Sequence, residues 1–227
     1  MKRSQINAAI KKMEALAKKH GFLLPPFCHW SPETWQNKDN TYNEIRETKL
    51  GWDVTDYGKG RFETTGFTLI TIRNGILNHT QYNKPYAEKL LMLAEGQYAP
   101  MHFHWYKMED IINRGGGTVL ITVYNSTPEE TFADTPVTVL MDGHSRTVSP
   151  GTEVRLAPGT SITIPPYLYH DFRVMPGTGD VLLGEVSMCN DDENDNRFYE
   201  QIGRFPKIEE DEAPYRLLCT EYPSAGT

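Results

Sequence analysis

The feature that most constrains this chain is a succession of short β-branched runs broken by turn residues. They fall at 66–72, 88–95, 100–105, 118–124, 136–140, 161–165, 169–174 and 181–186. Gly75, Gly96, Gly115–Gly117, Gly143, Pro158-Gly159 and Pro176-Gly177 punctuate them. Many short strands at regular spacing, each closed by residues that favour turns, predict an all-β sandwich or jelly-roll barrel. No period of 20–50 residues is visible, so a solenoid or propeller is not expected.

Outside those runs the chain reads differently. Ile6, Ala9, Ile10, Met13, Leu16 and Ala17 recur at helical spacing, which predicts an amphipathic helix over 4–20 with Ser4 as its cap and Gly21 as its stop. Lys11, Lys12, Glu14, Lys18 and Lys19 interrupt the segment, so it does not read as a signal peptide. Residues 22–65 read as loop with short pieces, 66–188 as the barrel core, and the acidic tail 189–227 as a cover over it. The expectation is a single domain over 1–227, and 227 residues can bury a core without staples. The charge balance, 23 basic against 30 acidic residues, gives a net −7 and argues against nucleic acid or an anionic membrane as partner. No apolar stretch approaches the ~18 residues of a spanning helix. Three scattered cysteines, Cys28, Cys189 and Cys219, suit free thiols in a reducing cytoplasm better than a disulfide framework.

Chemistry concentrates in two stretches. Gly96 is followed by five residues and then His102-Phe-His104; four intervening residues precede Glu109, and six more precede Gly116. Alternate side chains of a strand share a face, so His102 and His104 point the same way, and Glu109 on the next strand can return to them. Farther on, Gly159 is followed by five residues, Pro165, and then His170. This spacing resembles the paired signature of the cupin superfamily. The second half departs from it twice, with Tyr167 in place of Gly and Val174 in place of Asn. The Tyr167 departure bears on the turn and leaves the ligand positions intact. His20, His29, His79 and His144 fall outside the pattern and read as surface or structural residues. Three imidazoles and one carboxylate suit one divalent transition ion per chain, Mn²⁺, Fe²⁺, Co²⁺, Ni²⁺ or Zn²⁺. Four protein ligands on an octahedral ion leave two positions for neighbouring substrate oxygens.

The resemblance narrows with longer strings. His102-Phe-His-Trp-Tyr-Lys-Met-Glu-Asp-Ile-Ile-Asn-Arg-Gly-Gly-Gly117 and Asn190-Asp-Asp-Glu-Asn-Asp-Asn-Arg-Phe198 are similar to the bacterial D-lyxose isomerases, as are the helical N-terminus and the length. The resemblance implies a cupin jelly-roll barrel, usually a homodimer, binding Mn²⁺ through His102, His104, Glu109 and His170. It implies interconversion of D-lyxose with D-xylulose, and of D-mannose with D-fructose.

Such a reaction moves a proton between C1 and C2 of an open-chain sugar. One metal set favours a cis-enediol proton transfer over a hydride shift. The expected catalytic set is Lys107, Glu185 and Glu109. Lys107, two residues before Glu109, is expected to face the interior with it and to stabilise an oxyanion of the substrate; its alternative is a turn facing solvent. Glu185 is the expected base. A hairpin centred on Pro176–Gly179 would set it opposite His170, and its alternative role is to hold a ligand histidine. Asp191 and Arg197, in the acidic segment after the last strand, are expected to bond sugar hydroxyls or to order that loop. Asp171 turns to the opposite face and reads as structural. Two rival functions share this site, an Fe²⁺-dependent cupin dioxygenase and a non-catalytic sugar-binding cupin.

Overall fold

The structure is a computed structural model that describes residues 1–225. The first element is α1 (Arg3–Lys19), which buries the expected stripe of Ile6, Ala9, Ile10, Met13, Leu16 and Ala17. Ser4 is not the cap. It lies inside the first turn, where its N–H and hydroxyl both donate to the Asp211 carboxylate. The cap position is Lys2, whose N–H donates to the Gln5 side chain at 2.9 Å. At the other end Gly21 takes φ +70°, the left-handed stop that glycine provides at no steric cost.

Among the described residues the strands are β1 (Gly51–Thr55), β2 (Phe67–Arg73), β3 (Tyr86–Leu93), β4 (Tyr98–Phe103), β5 (Glu109–Gly116), β6 (Val119–Asn125), β7 (Val137–Met141), β8 (His144–Val148), β9 (Thr152–Leu156), β10 (Ser161–Ile164), β11 (Leu168–Val174), β12 (Val181–Met188) and β13 (Arg197–Phe198). One sheet runs β1-β2-β3-β12-β5-β10-β7-β8 and the other β13-β4-β11-β6-β9. The pairings between these strands are antiparallel, and the two sheets face each other as a jelly-roll barrel. The segment 22–65, read as loop with short pieces, holds the short helices Pro32–Gln36 and Asn43–Glu47 and also β1. Every residue of β1 is buried, so it has no alternation to betray it.

Two apolar layers follow from the strand period. On β3, Leu91 and Leu93 point between the sheets, where they meet Leu69, Ile111, Val181 and Leu183. Leu90 and Met92 point outward and are covered by Ile6, Ile10 and Met13 of α1. The run Leu-Leu-Met-Leu is therefore apolar on both faces. Lys89 shares the parity of Leu91, and Glu185 on β12 shares that of Leu183. The two stand opposite each other in register, both aimed at the barrel interior.

The expected hairpin between His170 and Glu185 does not form. β11 pairs with β4 and β6, whereas β12 pairs with β3 and β5. The Pro176–Gly179 turn carries the chain from one sheet to the other, past the β5–β6 turn, where Met175 N–H donates to Thr118 O and Gly117 N–H to Asp180 O. Gly116 takes φ +92° there, and a Cβ on it would lie 2.1 Å from Asp180 O, so only glycine fits.

The tail is held by pairings along its length. β13 adds to the edge of β4, Leu218 bridges to Trp52, and Glu209 to Lys2. Arg3 of α1 ties it down through Glu210 at 2.7 Å and Glu221.

Candidate metal centre

His102 lies near the end of β4, His104 follows two residues later, and His170 lies on β11 directly opposite His102. The ring nitrogens of His102, His104 and His170 lie within 4.8 Å of one another. In each ring Nδ1 faces a backbone carbonyl: Pro100 O at 2.9 Å from His102, Asp195 O at 2.6 Å from His104, and Leu168 O at 2.9 Å from His170. A carbonyl can only accept, so Nδ1 carries the proton in all three rings. Nε2 is then left as a bare acceptor pointing inward. Among the described residues, the Nε2 atoms of His104 and His170 are buried without a hydrogen-bond partner. Glu109 Oε1, another acceptor, sits 3.2 Å from His170 Nε2 and 3.6 Å from His104 Nε2. Acceptors converging on one buried point favour a cation between them, and the three imidazoles could hold a metal ion there. Burial, followed by the neighbouring imidazole of His170, pushes His102 well below the usual histidine range. Burial and then the Lys107 ammonium lower His104 as well. Both shifts favour the neutral imidazole for His102 and His104, the form a metal ion requires.

The turn before His170 explains the Tyr167 departure. Tyr167 adopts φ +63°, the left-handed conformation that a glycine would supply. Its N–H donates to His104 O at 2.9 Å, and its ring lies 5.4 Å from that of Phe103. The backbone turn is kept although the glycine is absent. Val174 is buried in the apolar core between the sheets.

Beside the histidines stands a buried chain of charges. Lys107 lies just before β5 rather than in it, yet its side chain points inward. Its Nζ is 2.8 Å from Glu109 Oε2 and 2.9 Å from Glu185 Oε1. Burial works against its charge, but the two carboxylates win and raise it above the ordinary lysine value. Glu109 is held well below the usual carboxylate range: burial would raise it, but Lys107 and then His104 outweigh that. Glu185 Oε1 also takes a hydrogen bond from Ser187 Oγ at 3.0 Å and lies 3.6 Å from Lys89 Nζ. Among the described residues its Oε2 accepts no hydrogen bond, and none of the three histidines bonds to it.

The cavity over these groups has an apolar wall of Tyr57, Phe67, Leu69, Phe172 and Phe198, and a polar wall of Lys89, Asp192, Asn196 and Arg204. Asp192 lies 3.8 Å from Lys89 and 3.3 Å from Arg204, and Arg204 also pairs with Asp53 at 2.5 Å. Of the charged lining residues, Lys89, Lys107 and Arg204 balance Glu109, Glu185 and Asp192. That balance is what lets six charges share a buried space.

The structure thus gathers His102, His104, Glu109, His170, Lys107 and Glu185, and leaves Asp191 and Arg197 aside. The Asp191 carboxylate caps its own loop, accepting from the N–H groups of Glu193 and Asn194. Arg197 pairs with Glu130 at 2.6 Å, while its neighbour Phe198 turns its ring toward His102. Asp171 faces away, accepting from Thr122 N–H at 2.8 Å. Sequence reasoning missed Lys89, Asp192 and Arg204. Lys89 carried a signal, a charge at an interior parity within an apolar run. Arg204 carried none, because the tail has no periodicity.

The profile of the D-lyxose isomerase family matches residues 1–222. A D-lyxose/D-mannose isomerase of Serratia proteamaculans is 47% identical over 223 residues, 98% of either chain. One from Escherichia coli O157:H7 is 45% identical over the same share. Among solved structures, a mutant L-ribose isomerase of Acinetobacter sp. DL28 in complex with L-ribose superimposes with a TM-score of 0.62 at 12% identity. That match covers 92% of this chain and 98% of the other. The L-ribose isomerase of Cellulomonas parahominis with L-ribose gives 0.58 at 16% identity, with the same coverage. At such identities these two matches speak for the fold alone.

Proposed function

The chain belongs to the D-lyxose isomerase family, and we propose that it is an aldose–ketose isomerase that interconverts D-lyxose with D-xylulose and D-mannose with D-fructose. The observation that carries the reading is the convergence of bare imidazole acceptors and Glu109 on one buried point, with a Lys107–Glu185 pair beside it. His102, His104, Glu109 and His170 would hold one divalent ion, with Mn²⁺ the first choice and Zn²⁺, Co²⁺, Fe²⁺ or Ni²⁺ as alternatives. When bound, the ion supplies electrophilic stabilisation of the charge that develops on O1 and O2 of the open-chain sugar.

The chain's own groups carry the proton. Glu185 offers an unengaged oxygen, Oε2, to the C2 proton of the aldose. It returns that proton to C1 on the same face of a planar cis-enediol. Its other oxygen is fixed by Lys107 and Ser187, so the carboxylate cannot rotate away. Lys107, kept protonated between two carboxylates, gives a proton to O1 as the C2 proton leaves and takes one back from the O2 hydroxyl as the C2 carbonyl forms. The polar wall of Lys89, Asp192 and Arg204 faces the remaining hydroxyls, and the aromatic wall excludes water. The barrel interior supports this arrangement because Lys89 and Glu185 enter it on strands of fixed parity.

The test is a sugar panel assayed after metal stripping and again after Mn²⁺ is added back, with ketose formation as readout. Ketose from D-lyxose without oxygen uptake is expected. Mn²⁺-loaded protein that makes no ketose from any sugar would overturn the reading. The family resemblance also supports a homodimer acting in the cytoplasm. Light scattering and cell fractionation check those two points. Among the described residues, no helix is long and apolar enough to cross a membrane.

A further inference from the structure

The three histidines are not held alike. His102 and His170 bond carbonyls two residues back on their own strands, Pro100 and Leu168. Those contacts are built into the local backbone. His104 instead bonds the carbonyl of Asp195, 91 positions away. Its orientation therefore depends on the loop 190–196 staying where it is. One side chain joins that loop to the backbone beside the ligands. The buried Asp195 carboxylate accepts from Tyr106 N–H at 2.9 Å through Oδ1 and from Lys107 N–H at 3.0 Å through Oδ2. Tyr106 and Lys107 belong to the short link between His104 and Glu109. The Asp195 N–H closes the loop on itself by donating to Asp191 O at 2.9 Å.

We propose that Asp195 is a positioning residue: it clips the acidic loop to the 104–109 link, and so fixes the metal-binding orientation of His104 and the place of Lys107 together. The clip gives the acidic segment a role at the site, and Asp191 supports it by ordering the loop that carries Asp195. It acts from the backbone side, so it needs no contact with the sugar. Other residues of the loop reach the same cavity, Asp192 through Arg204 and Lys89, and Asn190 through a hydrogen bond to Lys89. Seating the loop therefore completes the polar wall and aims His104 in one event.

This inference rests on the metal-dependent reading above, and its experiment separates the two. Mn²⁺ affinity is measured by titrating the stripped full-length protein, wild type against Asp195→Ala, Asp195→Asn and Glu193→Ala. Loss of the partner that orients a ligand histidine costs about 10–100-fold in metal affinity. Asp195→Ala is expected in that range, with kcat also lowered at saturating Mn²⁺ because Lys107 is loosened. Asp195→Asn keeps one acceptor but turns an amide N–H₂ toward the other backbone N–H, so it should fall between. If the alanine variant does not fold, the asparagine variant carries the test. Glu193 sits in the same loop and its side chain pairs only with Lys49 among the described residues, so its variant should bind Mn²⁺ as wild type does. Wild-type affinity and kcat in both Asp195 variants, even with a lowered Tm, would reduce Asp195 to a structural residue and overturn the inference. A wild type that binds no divalent ion would overturn the reading beneath it as well.

Discussion

Glu185→Gln is the perturbation that most directly examines the proton transfer. Glutamine keeps the shape and keeps an oxygen where Lys107 Nζ donates at 2.9 Å and Ser187 Oγ at 3.0 Å. It replaces the unengaged Oε2, the atom assigned to move the proton, by an N–H₂ that cannot take one. Lys107 loses one of two carboxylate partners but retains Glu109 at 2.8 Å, so its charge is not stranded. The full ~3–5 kcal/mol of breaking a buried ion pair is therefore not expected. Metal should stay, because each ligand histidine is oriented by a backbone carbonyl and none by Glu185. What is lost is general-base catalysis, about 10²–10⁴-fold in kcat. At about 1.36 kcal/mol per tenfold that is roughly 3–5 kcal/mol of barrier. The assay is kcat for D-lyxose at saturating Mn²⁺, with metal content and Tm measured on the same samples. Turnover within a few-fold of wild type, with metal bound, would refute the assignment. Loss of metal would instead assign Glu185 to holding the site.

Three further outcomes follow from the same geometry. His104→Ala or His170→Ala should abolish bound Mn²⁺ and turnover together, read by metal analysis and ketose assay; either one active without metal would contradict the site. In deuterated water the product should carry solvent deuterium at the transferred position, because a carboxylate-bound proton exchanges; complete retention of the substrate hydrogen at early times would point to a hydride shift. Asp192 is held well below the usual carboxylate range: burial opposes its charge, but Arg204, then Lys89 and Lys107, favour it more. The unfolded chain, with Asp near ~3.9, then takes up protons that the folded chain refuses, so this contribution to stability is present above about pH 4 and lost as pH falls further. Melting curves of wild type and Asp192→Asn should therefore differ at neutral pH and converge in strong acid; a gap independent of pH would count against the ion pairs.

How much of this could be read from the sequence divides along the range of the interactions involved. His102 and His104 share a face because a strand repeats every two residues, and no tertiary knowledge is needed to see it. The same local rule puts Glu185 on the interior side of β12, with Leu183 as its companion. The pairing argument for Glu185 fails, since β11 and β12 lie in different sheets. Yet the orientation stands, because parity belongs to one strand while pairing belongs to the whole topology. Tyr167 shows the converse. The missing glycine reads as a defect in the turn, but the turn survives with a tyrosine at φ +63°, held by a hydrogen bond to His104 O that only the fold provides. Arg204 and Asp195 lie beyond any local rule. Each reaches the site from a loop or tail without period, and each is placed by partners from about 90 to 150 positions away. The candidate ligands are thus set by strand geometry, while the orientation of His104 and the charge balance around the site are set by the irregular segments. This is why a spacing motif finds the histidines and passes over the residues that surround them.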